Sequence, residues 1–175
     1  MNSPTPDIQK RIQEGALRLF SQHGYIGTSM RMVAKEAYAS LGSIYYYYED
    51  KEALFRSLVE PAIRGLEAFY SLPPEDQDME MDMLDPVERK RRGYSKSPFY
   101  QYIINHAEAL RLVFFASAGS YLDQYEARLN QLSNESTIRY FERYRKLHPD
   151  WKAEVDPAFV DIYSAFVTAT IKTIL

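Results

Sequence analysis

The sequence predicts an all-α protein: a three-helix head at the N-terminus, joined by a long helix to a larger helical body. Three observations lead there. Apolar residues recur at three- and four-residue spacings along most of the chain, the period of a helix with one buried face. No segment alternates apolar and polar residues with the period of two that a half-buried strand requires. Ser, Thr, Asp, Pro and Gly fall at the ends of the periodic runs, where helix caps belong.

Taken in order, Thr5-Pro6-Asp7 opens the first helix, with Thr5 able to cap, Pro6 suited to the first turn and Asp7 favoured by the helix dipole. Ile8, Ile12, Ala16, Leu19 and Phe20 then form one apolar stripe, and Gly24 after His23 is a stop signal. A second, short helix is expected from Thr28-Ser29 to near Tyr38, carrying Val33, Ala34 and Ala37 inward. A third starts at Ser40 and runs through Ile44-Tyr45-Tyr46. Only a few residues separate these two, which is the spacing of a helix-turn-helix. The run Tyr45 to Tyr48 cannot all face one way, because a helix turns about 100° per residue.

Asp50-Lys51-Glu52 opens a longer fourth helix with Leu54, Phe55, Leu58, Val59, Ile63, Leu66, Phe69 and Tyr70 on its buried side. Pro61 inside it is expected to bend it. Residues 73–86, starting at Pro73-Pro74 and dense in Asp, Glu and Met, read as a linker. Beyond it Arg89-Lys90-Arg91-Arg92 reads as a solvated face offset by Asp82, Asp85 and Glu88. Helices are then expected from about Phe99 to Phe115, from about Ala118 to Leu147, and from Pro157 onward. The domain division is therefore residues 1–50, the head, and residues 51–175, the body. The last helix carries Phe159, Ile162, Tyr163, Phe166, Val167 and Ile171, a stripe too apolar to face water, and it ends at Ile174-Leu175 without a polar cap or Gly. Either a partner meets that end, or a further C-terminal segment belongs to the protein.

Composition narrows the chemistry. The 175 residues suffice for a small head and one bundle-sized body. Cysteine is absent, which excludes a disulfide framework and thiolate metal sites. No run of eighteen apolar residues and no secretory signal pattern occurs, so a cytoplasmic protein without a membrane span is expected. The net charge is −3, and the first sixty residues carry seven basic and seven acidic side chains. Such a head cannot hold nucleic acid by bulk charge and must rely on placement and helix ends. The three histidines are scattered, and no metal-spaced cluster, Gly-rich phosphate loop or nucleophile with an adjacent base is present. No catalytic residue, metal or cofactor is therefore assigned. A His106–Glu108 acid–base pair is the one enzymatic alternative.

The pieces Ala16-Leu17-Arg18-Leu19-Phe20, Gly24-Tyr25, Thr28-Ser29, Val33-Ala34, Ala37, Ser40-Leu41-Gly42-Ser43-Ile44-Tyr45-Tyr46 and Lys51-Glu52-Ala53-Leu54-Phe55 stand in one order at fixed spacings. Together they make the stretch from Ile8 to Phe55 resemble the DNA-binding head of TetR-family transcriptional regulators. The resemblance implies a ligand-responsive repressor that binds a palindromic duplex operator as a homodimer through its C-terminal helices. It implies DNA-facing roles for Thr28, Ser29, Arg31, Ser40, Leu41, Gly42, Ser43, Tyr45, Tyr46, Tyr47 and Lys51, with Lys51 holding a phosphate in the first turn of the fourth helix. Tyr48 takes the place of a buried aromatic, and Tyr47 stands where the family often has histidine.

Three departures stand out. Tyr38 replaces the family's usual turn glycine, so a turn conformation that a bulky residue tolerates is expected. Met32 replaces a common acid, which removes half of a capping box with Ser29. Leu41 replaces a basic or polar residue. In the body, Phe69, Tyr70, Tyr100, Ile104, Phe114, Phe115, Tyr121 and Phe141 are candidates to line a pocket for an apolar or aromatic small molecule, with Glu108 or Glu126 as polar partners. The competing reading is a helical ligand-binding or dimer scaffold whose head binds DNA weakly.

Overall fold

The computed structural model describes residues 6–71, 98–152 and 154–175; Thr5, the linker at 73–86 and the basic run at Arg89 to Arg92 lie outside the described residues. Every regular element among the described residues is a helix: α1 (Pro6–Gly27), α2 (Met30–Glu36), α3 (Leu41–Tyr47), α4 (Lys51–Ser71), α5 (Pro98–Asn105), α6 (Ala107–Phe115), α7 (Tyr125–Leu147) and α8 (Pro157–Ile174). They form two compact units. One holds the described residues up to Ile63 together with Glu108–Tyr125, and the other holds the remainder.

The first unit is built around Ile12, Ala16, Phe20, Val33, Ile44, Leu54, Phe55 and Val59, all buried. Phe20 meets Phe55 edge-on at 4.9 Å, and Tyr25 closes the same cluster, stacked on Phe20 at 6.0 Å and edge-on to Phe55 at 5.1 Å. Offset and edge-to-face geometries of this kind add to the stabilisation from burial itself. The backbone leaves helical geometry at Gly24, with φ 68° and ψ 175°. The helix proper thus stops where the sequence places its stop signal, because a left-handed φ there suits glycine. α4 runs from Lys51 through Pro61 to Ser71 as a single helix.

Two expected boundaries move. The helix expected over Phe99 to Phe115 breaks at His106, whose ring nitrogen Nδ1 lies 2.9 Å from the Tyr102 carbonyl while the ring stacks on Tyr102 at 4.0 Å. The helix expected from Ala118 starts instead at Tyr125. Ser117 turns its hydroxyl back onto the Val113 carbonyl, Gly119 adopts φ 80°, and the Ser120 hydroxyl accepts the Leu122 N–H, so Ala116 to Gln124 fold as successive turns.

The loop so formed belongs to the head. The Tyr25 N–H donates to the Ala116 carbonyl at 2.8 Å, and a side chain built on Gly119 would meet Ile26 Cγ1 at 2.7 Å. The Tyr121 hydroxyl donates to Glu60 at 3.0 Å, its N–H reaches Glu52 at 3.3 Å, and the Arg56 guanidinium lies 3.8 Å over its ring.

In the second unit α8 starts at the N-cap Asp156, whose carboxylate accepts the Ala158 N–H at 2.8 Å. The inward residues of α8 are Val160, Ser164, Thr168 and Ile171. Two of these are polar and bond across to α7: Thr168 Oγ1 donates to Asn130 at 2.6 Å, and Ser164 Oγ donates to Asn134. The outward face of the same helix is apolar, with Ile162 70% and Phe166 63% exposed.

Candidate nucleic-acid interface

The helix-turn-helix is assembled from capping chemistry. Ser29 caps α2, its hydroxyl accepting the Met32 N–H at 3.3 Å, the one half of a capping box that methionine at position 32 leaves possible. Ser40 caps α3, accepting the Ser43 N–H at 2.9 Å and lying 2.7 Å from the Ser43 hydroxyl. Each cap satisfies an N–H that the first helical turn would otherwise leave without a partner, an effect of ~1 kcal/mol. Ile44 and Tyr48 hold α3 against the core, which turns Gly42, Tyr45 and Tyr46 outward.

The connection between α2 and α3 is a Schellman closure. The Ala39 N–H donates to the Ala34 carbonyl at 3.0 Å and the Tyr38 N–H to the Lys35 carbonyl at 3.2 Å, with Ala37 as C-cap. The residue between those two bonds must be left-handed, and Tyr38 has φ 50°. This corrects the sequence expectation: the turn keeps the conformation a glycine would take, and a tyrosine is forced into it. The two carbonyls at the end of α2 require the closure, and the side chain accommodates by standing 88% exposed.

Several expected DNA-facing residues lie on the outer surface of this motif. Ser29, Arg31, Gly42, Tyr45 and Tyr46 are exposed, and Leu41, Ser43 and Tyr47 are half-buried. A side chain added at Gly42 would meet only Ser40 Oγ, at 3.8 Å, so nothing within this chain requires glycine there. Two expectations are corrected. Thr28 is 2% exposed, and its hydroxyl donates to the Gly24 carbonyl at 2.8 Å. Its oxygen is therefore used to close the bend after α1. Lys51 is half-buried: its ammonium donates to the Tyr25 carbonyl at 2.7 Å and to the Thr28 carbonyl at 3.0 Å, and lies 4.1 Å over the Tyr25 ring. The cation expected to hold a phosphate braces the end of the α1 segment instead, where carbonyl oxygens face out of the turn.

The neutral head also resolves into paired and unpaired charge. Lys10 pairs with Glu14, Arg11 with Asp7, Arg18 with Glu36 at 3.0 Å, and Arg56 with Glu52 and Glu60. Asp50 caps α4 by accepting the Ala53 N–H at 2.7 Å. Glu52 also accepts the Tyr25 hydroxyl at 2.8 Å; burial first, and that carboxylate next, push the phenol up to about 12. With Lys51 spent on carbonyls, Arg31 and Lys35 are left as the head's exposed cations that pair with no described residue. They stand four residues apart on α2, one helical turn along a single face. Lys35 was not singled out in the sequence, because its freedom depends on Arg18 taking Glu36, a pairing between residues 18 apart.

The expected pocket residues do not come together as one group within either unit. Phe69, Tyr70 and Tyr100 gather around Phe99, with ring separations of 5.4, 6.2 and 5.6 Å. Phe141 lies in a separate cluster, stacked on Trp151 at 6.0 Å and edge-on to Phe159. Phe114, Phe115 and Tyr121 belong to the other unit, and Ile104 and Phe115 are exposed. Glu126 pairs with Lys172 at 2.9 Å. Among the described residues no group of acidic or histidine side chains could hold a metal ion, and no helix is long and apolar enough to cross a membrane.

Comparison with known proteins agrees with this geometry. Residues 12–58 match the family described as bacterial regulatory proteins, tetR family. The head of this chain is a tetR-family domain. Over 51 residues, 29% of the chain, it is 47% identical to the HTH-type transcriptional regulator YuxN of Bacillus subtilis, covering 18% of that protein. It is 31% identical over 116 residues to the HTH-type transcriptional repressor SCO4008 of Streptomyces coelicolor, covering 66% of this chain and 53% of that one. The chain thus spans about half the length, or less, of these relatives. Similarity of fold extends past the tetR-family head. A Clostridium perfringens regulator named for fatty acid metabolism superposes with a TM-score of 0.57 at 14% identity, over 93% of this chain and 82% of that one. NalD of Pseudomonas aeruginosa, the secondary repressor of a multidrug efflux pump, gives 0.50 at 17% identity, over 95% and 82%.

Proposed function

We propose that the chain is a transcriptional repressor that binds a palindromic duplex operator as a homodimer and releases it when a small apolar or aromatic molecule binds the body. The observation that carries the DNA reading is the bare outer face of the helix-turn-helix. Gly42 opens a side-chain-free spot near the start of α3, flanked by Ser43, Tyr45 and Tyr46, while Arg31 projects from α2 with no described carboxylate to neutralise it. Gly inside a short helix costs about 1 kcal/mol relative to alanine, and no neighbour within the chain explains it. Close approach of a base edge or a sugar–phosphate strand does. α3 then enters the major groove by its N-terminal turn, with Ser40, Leu41 and Ser43 nearest the bases, the Leu41 side chain suited to a thymine methyl. Arg31, Ser29 and the Tyr45 to Tyr47 hydroxyls take the backbone, while Thr28 and Lys51 act indirectly, by setting the angle at which α2 leaves α1.

The dimer reading rests on α8, whose covered face carries Ser164 and Thr168 while Ile162 and Phe166 face out. A helix with its apolar side outward is stable when a second copy covers it, and a two-fold brings the two recognition helices to successive major grooves about 34 Å apart. For the effector, the cluster of Phe69, Tyr70, Phe99 and Tyr100 is the best-supported lining.

Selection of bound sequences from random duplex DNA, followed by a salt series on the winner, tests the proposal. A two-fold site is expected, with log affinity falling linearly against log salt and a slope reduced by about 1 in Arg31→Ala. A selection that enriches no sequence would leave a helical scaffold as the better description.

A further inference from the structure

We infer that Tyr38, together with Lys35, forms a second DNA-backbone contact at the far end of α2, with the Tyr38 hydroxyl donating a hydrogen bond to a phosphate oxygen. This rests on the DNA reading above and adds a contact to it.

The backbone at Tyr38 has φ 50°, in the left-handed region, where a bulky residue is an outlier and glycine is at no disadvantage. Strain of that kind persists where something else selects the side chain. Nothing inside the molecule does so. The ring is 88% exposed and makes no hydrogen bond or ring contact with any described residue, so it contributes no packing that offsets the strained backbone.

The surroundings identify the partner. Arg31, Lys35 and Tyr38 follow one another at i, i+4 and i+7, a guanidinium, an ammonium and a phenol along one side of α2, all exposed donors. The nearest acid, Glu36, is occupied by Arg18 at 3.0 Å. A row of donors with no carboxylate to quench it fits a run of anionic oxygens, and one strand of duplex DNA supplies such a run, with a charge every ~3.4 Å along the axis. Tyrosine and lysine both serve as sequence-independent phosphate donors. An aromatic end to the row also explains why glycine is absent from a turn whose hydrogen bonds would be made more easily with it.

The contact is sequence-independent, so a fluorescein-labelled 30-base-pair duplex of arbitrary sequence serves as the probe, with the full chain and fluorescence anisotropy as the readout. Three variants are compared with the parent. Tyr38→Gly is expected to melt at a higher temperature and yet bind roughly fivefold to tenfold more weakly, the loss of one hydrogen bond to a charged acceptor. Tyr38→Phe is expected to weaken binding similarly with an unchanged salt slope, and Lys35→Ala to lower the slope by about 1. If Tyr38→Phe binds as tightly as the parent, the hydroxyl contact is wrong while the DNA reading survives. If the parent binds neither this duplex nor any selected one, the DNA reading fails and this inference with it.

Discussion

Replacing Lys51 by methionine separates two roles that a lysine at the start of α4 could have. Methionine keeps the aliphatic stem over the Tyr25 ring and removes the ammonium. The parent loses two charge-assisted hydrogen bonds, to the Tyr25 and Thr28 carbonyls at 2.7 and 3.0 Å, and a cation lying 4.1 Å over the ring. Hydrogen bonds involving a charged partner contribute about 1.5–3 kcal/mol each, and an exposed cation–π contact about 0.5–1 kcal/mol. Lys51 is half-buried, so water can replace part of what is lost, and a net destabilisation of roughly 2–3 kcal/mol is the reasonable expectation. For a chain of this size each kcal/mol moves the melting temperature by about 2–4 °C, which puts the shift between about 4 and 12 °C. Thermal melts followed by circular dichroism measure it. The same variant is then titrated with operator DNA at several salt concentrations. A brace predicts a lowered melting temperature and an unaltered salt slope, because no phosphate contact has gone. A melting temperature equal to the parent's, with the slope reduced by about 1, would refute the brace and restore Lys51 as a phosphate ligand.

Other consequences follow from the same structure. The Tyr48 hydroxyl is buried and finds no partner among the described residues; since an unsatisfied buried hydroxyl costs about 1–3 kcal/mol, Tyr48→Phe should melt at or above the parent, and a clear drop would show a missed partner. Placing glutamates at Ile162 and Phe166 on α8 should convert a dimer to monomers in analytical ultracentrifugation while helicity is retained; an unchanged sedimentation coefficient would move the interface elsewhere. Tyr25 holds its proton to about pH 12 in the folded chain, against about 10 when unfolded. Below pH 10 the group adds no pH dependence. Between 10 and 12 the unfolded form has shed the proton and the native form has not, so stability falls as pH rises. Urea midpoints at pH 9 and pH 11 should therefore drop more for the parent than for Tyr25→Phe, and equal drops would disprove the linkage.

What the sequence made legible was local. Ser29, Ser40 and Asp156 could be read as caps, Gly24 as a stop and Ile12, Ala16 and Phe20 as a buried stripe, because each follows from spacing within a few residues. The departures arise where the deciding group is distant. Lys51 faces carbonyls 23 and 26 residues earlier in the chain. Arg18 frees Lys35 by taking Glu36, and the early end of the expected second long helix depends on turns set by Ser117, Gly119 and Ser120. At Tyr38 the error was of another kind: a residue's preference was allowed to decide the turn, whereas the two carbonyls at the end of α2 decide it and the residue conforms. The outward apolar face of α8 was visible as a stripe, yet the polar identity of its covered face emerged only with the Asn130–Thr168 and Asn134–Ser164 pairs.

The segment Ala116 to Tyr121 has a kinetic consequence. Its contacts with Tyr25, Ile26, Glu52 and Glu60 mean that the head is not assembled from consecutive residues alone. Before its last surface can form, the chain must bring together positions some sixty to ninety residues apart, and the entropic cost of closing such a loop falls on a late step of folding. During synthesis the first three helices can meet as soon as they emerge, but the bonds from Tyr121 must wait for the α6 segment and the turns that follow it. A nascent chain stalled before Ala116 would carry a head missing one side of its support, open to proteases at Tyr25 and Ile26 until the rest arrives.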